Sequence, residues 1–147
     1  MPLFLRKRRL NPQQPKGPLL TVDAIIEKDG TVLLVSRKNP PLGWALPGGF
    51  VDYGESVENA LRREVKEETS LCTTSHTLFG VYSDPSRDPR FHTVSIIYIA
   101  KVEGVPKARS DAREAKFFSI NNLPELCFDH KRILNDYLTK YKFTKEH

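Results

Sequence analysis

One amphipathic helix, beginning after Ser56, has an apolar face that continues into glutamates. Ser56 is a suitable N-cap residue, and apolar residues then recur at helical spacing: Val57, Ala60, Leu61 and Val65. With Glu64 as the origin of a helical wheel at about 100° per residue, Leu61 falls near 60° and Glu68 near 40°. The sequence therefore predicts a helix that directs carboxylates toward the protein interior.

The ordinary interpretation of a charge run such as RREVKEE is a solvated helix face with salt bridges. The helical wheel argues against it, because Glu64 and Glu68 are four residues apart and repel each other. Pointing both inward adds a desolvation cost for each carboxylate. A divalent cation offsets both costs, and hard ions such as Mg²⁺ and Mn²⁺ prefer oxygen ligands. The pattern favours a metal site.

The same segment resembles the signature of the Nudix hydrolases, in which a glycine, a glutamate and an Arg-Glu-aliphatic-x-Glu-Glu run stand at fixed spacing. The matching positions are Gly49, Glu55, Arg63, Glu64, Val65, Glu67, Glu68 and Leu71. Ser70 departs from the pattern, because the family has glycine there. We expect Ser70 to lie in a left-handed conformation just past the helix end, where a Cβ costs about 1 kcal/mol.

The resemblance implies metal-dependent hydrolysis of a nucleoside diphosphate linked to another group, with Mg²⁺ as the expected cofactor and Mn²⁺ as an alternative. It implies that the metal is held by Glu64, Glu67, Glu68 and a main-chain carbonyl at Gly49. Arg63 and Glu55 are then expected to orient the glutamates. Three carboxylates are candidates for the general base: Glu64, Glu68 and Glu114. The alternative for Glu114 is an exposed strand residue.

Length and patterning predict one α/β domain. The chain has 147 residues, enough for a single core. Strands are predicted at 19–27, 31–36, 78–83, 93–102 and 115–119, with a hairpin turn at Asp29-Gly30 and a final helix capped by Asp129 and running to about Tyr141. The resemblance implies the Nudix form of this class, an α/β/α sandwich with a mixed β-sheet, at residues 19–147.

Residues 1–18 are expected to form a basic, proline-rich arm that precedes the domain at residues 19–147. The net charge of +5 arises there, from Arg6, Lys7, Arg8, Arg9 and Lys16, and the rest of the chain is formally neutral. A solvated tail is favoured over nucleic-acid binding. No apolar stretch follows the arginines, so neither a signal peptide nor a membrane partner is expected. The two isolated cysteines, Cys72 and Cys127, fit a reducing compartment, and the cytoplasm is expected.

Substrate recognition is expected outside the signature, chiefly in the loop YSDPSRDPRFH at 82–92. Arg87 and Arg90 are candidates for phosphate contacts, and the alternative is a plain surface loop. Arg37 is another candidate, although it also fits a solvated strand end. Trp44 is suited to stacking on a base, or equally to packing. The histidines His92 and His130 lack the spacing of a metal pair and are expected to be structural.

Pro85, which lies 14 residues after Leu71, and the segment LPELCFDH resemble the ADP-ribose pyrophosphatase branch of the family. That branch implies a small-molecule nucleotide as the partner, AMP and ribose 5-phosphate as the products, and a homodimer as a state to test. Two alternatives stand beside it. One is a nucleoside triphosphate pyrophosphohydrolase that acts on oxidised dGTP, and the other is a nucleotide sensor without catalysis.

Overall fold

The fold consists of eight strands and two helices in residues 16–146, the part of the chain that this computed structural model describes. The strands are β1 (Leu19–Ile25), β2 (Glu27–Lys28), β3 (Thr31–Arg37), β4 (Trp44–Ala45), β5 (Gly48–Phe50), β6 (Cys72–Tyr82), β7 (Thr93–Glu103) and β8 (Ala112–Ser119). The helices are α1 (Val57–Thr69) and α2 (His130–Glu146). Most of the predicted arm at 1–18 lies outside the described residues, so the boundary between the arm and the domain at 19–147 stays a prediction.

Two four-stranded sheets form the centre of the fold. The first has the order β5-β1-β7-β6 and is mixed, because β1 and β7 are parallel while the other neighbours are antiparallel. In the second, β3 pairs with β2 and β4, and also with β8. The Asp29-Gly30 turn between β2 and β3 has positive φ at both residues, 51° and 77°, as expected for a tight hairpin.

The helices cover opposite faces of the strands. Leu61 and Val65 of α1 pack with Leu33, whereas Ile133 and Leu134 of α2 belong to a separate apolar cluster. That second cluster takes its strand residues from alternate positions: Ile25, Val32, Leu34 and Ile97. Since successive strand residues face opposite sides, the alternation separates the two cores. The predicted α/β/α sandwich with a mixed sheet is confirmed.

Helix α1 begins and ends as predicted from its sequence. The Ser56 side chain accepts a hydrogen bond from the Asn59 N–H at 3.1 Å, and Ser70 follows the helix with φ 66° in the left-handed region. Helix α2 differs in detail. The Asp129 carbonyl accepts from the Ile133 N–H, but the Asp129 carboxylate binds an arginine instead of capping the helix. The arginine forms two charge-assisted hydrogen bonds with this carboxylate and neutralises its charge, which a cap to a backbone N–H would not do.

The sequence prediction missed two strands and shortened two others. β4 and β5 lie in a Pro- and Gly-rich stretch for which no strand was predicted, β6 begins at Cys72 instead of residue 78, and β8 begins at Ala112 instead of residue 115. The first half of β6 reads CTTSHT and lacks apolar alternation because β6 is the outer strand of its sheet in the described part of the chain. Across the described residues, no helix combines the length and apolar character needed to cross a bilayer.

Candidate active site

The carboxylates of α1 meet the turn that leads into β5. Glu64 and Glu68 are only 6% and 8% exposed, as the helical wheel predicted. Glu68 Oε1 accepts a hydrogen bond from the Gly48 N–H at 2.8 Å. A Cβ on Gly49 would lie 2.6 Å from Glu64 Cδ and 2.7 Å from each of its carboxylate oxygens. Glycine is required at this turn because helix and strand approach so closely.

Arg63 binds the acidic residues that surround this turn. Its guanidinium forms a bidentate pair with Glu55, with Nε to Oε2 at 2.7 Å and Nη2 to Oε1 at 2.8 Å. Nη1 donates to Glu64 Oε1 at 2.7 Å, and Nη2 donates to the Phe50 carbonyl at 3.0 Å. The hydrogen bonds from Arg63 lower the pKa of Glu55. This geometry agrees with the orienting role that was expected for Arg63 and Glu55.

Substitution of Arg63 tests this arrangement. Arg63→Lys keeps the charge but loses the bidentate pair with Glu55, so Glu64 loses part of its support. We expect kcat/KM to fall about 10- to 100-fold, as for other residues that orient metal ligands. Arg62→Lys is the matched control, since within residues 16–146 the Arg62 side chain donates a hydrogen bond only to the exposed Asn59 side chain. Steady-state kinetics of both variants decide the question, and equal activities would contradict the role of Arg63.

The electrostatics of the turn favour a cation. Burial raises the pKa of Glu68 well above that of an ordinary glutamate, and the nearby charges of Glu64 and Asp23 raise it further. Among residues 16–146, no three His, Cys, Asp or Glu side chains form a group able to hold a metal ion. Two buried carboxylates beside the Gly48–Gly49 turn nevertheless fit Mg²⁺, which usually takes one or two carboxylates and completes its octahedron with waters and substrate phosphates.

A cavity of about 370 Å³ opens beside the two glutamates. Its acidic part contains Asp23, Glu64 and Glu68, together with His130. Its other lining residues include three arginines and three aromatic rings: Arg37, Arg87, Arg90, Phe50, Phe91 and Phe128. The volume falls within the range of small-molecule sites. The arrangement places negatively charged and positively charged side chains in one cavity, as binding of both a cation and a phosphate requires.

The buried histidine and aspartate of this cavity belong to one hydrogen-bonded group. His130 is 2% exposed, and its Nδ1 accepts from the Leu46 N–H at 2.9 Å. Nε2 therefore carries the proton of the neutral ring, and it lies 3.6 Å from Asp23 Oδ2, which accepts from Ser95 Oγ. These contacts agree with the structural role that was expected for His130. Asp23 was not predicted, although a lone acid within the apolar strand LLTVDAII was a usable signal.

The two arginines of the substrate loop differ in their contacts. The Arg87 side chain is 3% exposed, forms a bidentate pair with Asp129, and donates from Nη1 to Thr93 Oγ1 at 2.7 Å. Arg87 thus ties the loop to the start of α2, and its geometry favours this role over a phosphate contact. Arg90 lines the cavity in a bidentate pair with the buried Asp88, at 2.9 and 3.1 Å.

Arg37 combines partial burial with few partners. Its Nε donates to the Pro41 carbonyl at 2.8 Å, and its pKa is lowered first by burial and then by the charge of Arg90. Within the described residues, no hydrogen-bond acceptor lies against its Nη1 or Nη2. A half-buried guanidinium with two unused nitrogens is suited to an incoming anion.

Besides Arg63 and Glu55, three predicted site residues lie outside the cavity lining. Trp44 packs edge-on against Phe118 with 4.7 Å between ring centroids, which fits the packing alternative. Glu114 is exposed on β8, opposite Ser36 in the register, and so fits the alternative of a plain strand residue. Glu67 is partly exposed and lies 3.4 Å from Arg63. Its expected role as a metal ligand stays a prediction.

The NUDIX domain model matches residues 17–137, which covers the cavity, both glycines of the turn and most of the sandwich. The chain therefore belongs to the Nudix family and is a Nudix hydrolase. An ADP-ribose pyrophosphatase from Methanocaldococcus jannaschii is 55% identical over 124 residues, which cover 82% of this chain and 73% of that protein. A putative 8-oxo-dGTP diphosphatase from Bacillus subtilis is 35% identical over 117 residues, covering 77% and 74%.

A solved structure has the same fold over nearly the whole chain. The NUDIX domain of Shewanella oneidensis NrtR, in complex with ADP-ribose, superposes on this chain with a TM-score of 0.77. The two are 28% identical, and the match covers 96% of this chain and 99% of that one. The similarity confirms the predicted family.

Proposed function

We propose that this Nudix hydrolase cleaves the pyrophosphate of ADP-ribose to give AMP and ribose 5-phosphate. The observation that carries the proposal is the pair of buried carboxylates, Glu64 and Glu68, against the Gly48–Gly49 turn in a cavity of about 370 Å³. The choice of ADP-ribose rests on the similarity to the Methanocaldococcus jannaschii enzyme. A small-molecule nucleotide is thus the expected partner, and the free thiols of Cys72 and Cys127 agree with a cytoplasmic location.

The residues divide the reaction between them. Glu64, Glu67, Glu68 and the main-chain carbonyl of Gly49 would hold Mg²⁺, or Mn²⁺ in its place, and the bound ion would supply charge neutralisation and water activation. Arg37 and Arg90 bind the phosphates. Glu64 or Glu68 takes a proton from the attacking water, because both line the cavity and Glu114 does not. Water forms a new P–O bond, the bridging oxygen leaves with one phosphate, and two monophosphates result.

Product analysis tests the reaction directly. With Mg²⁺ present, ADP-ribose should yield AMP and ribose 5-phosphate in equal amounts without release of pyrophosphate. The second candidate, a triphosphate pyrophosphohydrolase, is favoured by the Bacillus subtilis relative, and it predicts pyrophosphate release from oxidised dGTP. A kcat/KM at least tenfold higher for oxidised dGTP would overturn the proposal. Sedimentation equilibrium of the same preparation tests the homodimer implied by the ADP-ribose branch.

Arg37 supplies a sharper test of substrate binding. Arg37→Ala should raise KM for ADP-ribose by about 10- to 100-fold, the range for one charge-assisted hydrogen bond, with a smaller effect on kcat. Lys38→Ala is the control, because Lys38 is the exposed neighbour and its Nζ donates to the Ser110 carbonyl. Equal KM values for the two variants would remove Arg37 from the phosphate site.

A further inference from the structure

We propose that Phe128 is a positioning residue, whose ring holds Arg37 and Arg90 together as one clamp for the pyrophosphate group of the substrate. The guanidinium carbon of Arg37 lies 5.0 Å from the centroid of the Phe128 ring, and that of Arg90 lies 5.3 Å from it. Arg90 also lies 5.3 Å from the centroid of Phe50. One ring thus contacts two of the three arginines that line the cavity at cation–π distance.

The backbone at Phe128 supports a functional role for its ring. Phe128 has φ 57°, a left-handed conformation that a bulky residue rarely adopts. Its neighbours maintain this conformation from both sides. The Cys127 N–H donates to the Trp44 carbonyl at 2.8 Å, and the Asp129 carboxylate is bound by Arg87. Strained residues that are held in this way occur preferentially at ligand sites, and Phe128 lines the cavity.

The charges at this ring call for an anion. Arg37 and Arg90 repel each other, and that repulsion contributes to the lowered pKa of Arg37. Asp88 compensates Arg90 through a bidentate pair. In the described part of the chain, the Arg37 side chain has only the Pro41 carbonyl as a hydrogen-bond acceptor. Two guanidinium groups on one ring, with nitrogens left for a ligand, fit a group of two linked phosphates, each of which can accept from one arginine.

This inference rests on the proposed function and adds a statement about what the site recognises. The clamp of Arg37, Arg90 and Phe128 is expected to contact the phosphates of the substrate and not its nucleobase. Loss of the ring should therefore weaken all pyrophosphate-containing ligands to the same extent, including inorganic pyrophosphate. The turnover step itself depends on the glutamates of α1, so kcat should change little.

The test compares four variants of the full chain with Mg²⁺ present. Phe128→Leu keeps the bulk and removes the ring, and we expect KM for ADP-ribose to rise about tenfold with kcat within about twofold of the wild type. Phe128→Tyr keeps the ring and should restore KM. Phe118→Leu is the matched control, since Phe118 contacts Trp44 away from the cavity lining. It should lower thermal stability without changing KM.

Phe128→Gly separates the ring from the fold. Glycine adopts φ 57° without the cost of a Cβ, so this variant should melt at or above the temperature of Phe128→Leu while it has the same high KM. In an Arg37→Ala background, Phe128→Leu should have a smaller effect on KM than in the wild type, because the ring acts through that arginine. Additive effects of Arg37→Ala and Phe128→Leu on KM would overturn the proposal. Equal losses of kcat and of thermal stability in Phe128→Leu and Phe128→Gly would also overturn it.

Calorimetric titration with inorganic pyrophosphate keeps this inference separate from the choice of substrate. Weaker pyrophosphate binding by Phe128→Leu than by the wild type supports the clamp even if ADP-ribose is not hydrolysed. Equal affinities, or a wild type that does not bind pyrophosphate, would exclude it. Hydrolysis of ADP-ribose by the wild type with unchanged KM in Phe128→Leu would retain the proposed function and exclude the clamp.

Discussion

Glu68→Gln is expected to lower kcat by several orders of magnitude, because it removes one carboxylate charge from the proposed metal site. The metal-free fold should nevertheless be at least as stable as the wild type. The introduced side-chain amide would retain an oxygen acceptor for the Gly48 N–H, which Glu68 Oε1 binds at 2.8 Å. The substitution would also remove a buried negative charge that lies near Glu64 and Asp23.

The pH dependence of stability shows whether Glu68→Gln acts by removing a buried negative charge or by disrupting the structure around residue 68. Since folding raises the pKa of Glu68, its contribution to the stability of the metal-free protein is fully present below the unfolded pKa of a glutamate. That contribution is lost as pH rises through the higher folded pKa. Glutamine does not titrate, so the Glu68→Gln variant does not lose stability at this position as the pH rises. Thermal unfolding in EDTA should therefore favour the variant more at neutral pH than at acid pH.

Glu58→Gln is the matched control, on the same helix but outside the cavity lining, where Glu58 accepts a hydrogen bond from the Tyr98 hydroxyl. Its kcat should equal that of the wild type. Near-normal kcat in Glu68→Gln would refute the site. Calorimetric titration with Mn²⁺ should show weaker binding by the Glu68 variant than by the Glu58 variant, a measurement that is independent of turnover.

Gly48→Ala should abolish activity and also destabilise the fold. The added Cβ would lie 2.1 Å from the Val22 carbonyl oxygen and 2.8 Å from Asp23 Cα. Both contacts are with backbone, so β1 and β5 must separate where Asp23 pairs with Gly48. We expect a loss of about 3 kcal/mol in the free energy of unfolding. The shift also displaces the N–H that holds Glu68.

Urea denaturation and Mn²⁺ titration measure the two effects separately. Gly17→Ala is the control, because nothing lies within 4 Å of the Cβ that it would add. Its stability should stay within about 0.5 kcal/mol of the wild type, as for an ordinary surface change. A Gly48→Ala protein with wild-type unfolding would mean that the turn can move away from β1.

The parts predictable from the sequence were those encoded over short distances. Helix α1 was predicted because its cap, apolar spacing and glutamates all lie within one segment, and the inward direction of Glu64 and Glu68 followed from helix geometry alone. The Ser70 conformation followed from its place after the helix. Half of strand β6 was missed because its first residues are mostly polar and mostly exposed, so they show no apolar alternation.

The remaining features depend on contacts between distant segments. Arg87 was expected to bind phosphate, but its bidentate partner Asp129 is 42 residues away in the sequence. The ring of Phe128 is similarly brought to Arg37 and Arg90 by the fold. A sequence pattern identifies which residues are able to bind an anion. It does not reveal which of them already have a partner, since that requires the tertiary structure.

Strand β6 also bears on how copies of this chain behave at high concentration. Its eleven residues contain no Lys, Arg, Asp or Glu, and Leu78 and Val81 are more than half exposed. Among the described residues no further strand pairs with this edge, so it is open to association with another strand. Its register with β7 shifts twice, between Thr73 and Ser75 and between Leu78 and Gly80. These irregularities break the edge into short lengths, which opposes the continuous pairing that leads to aggregates.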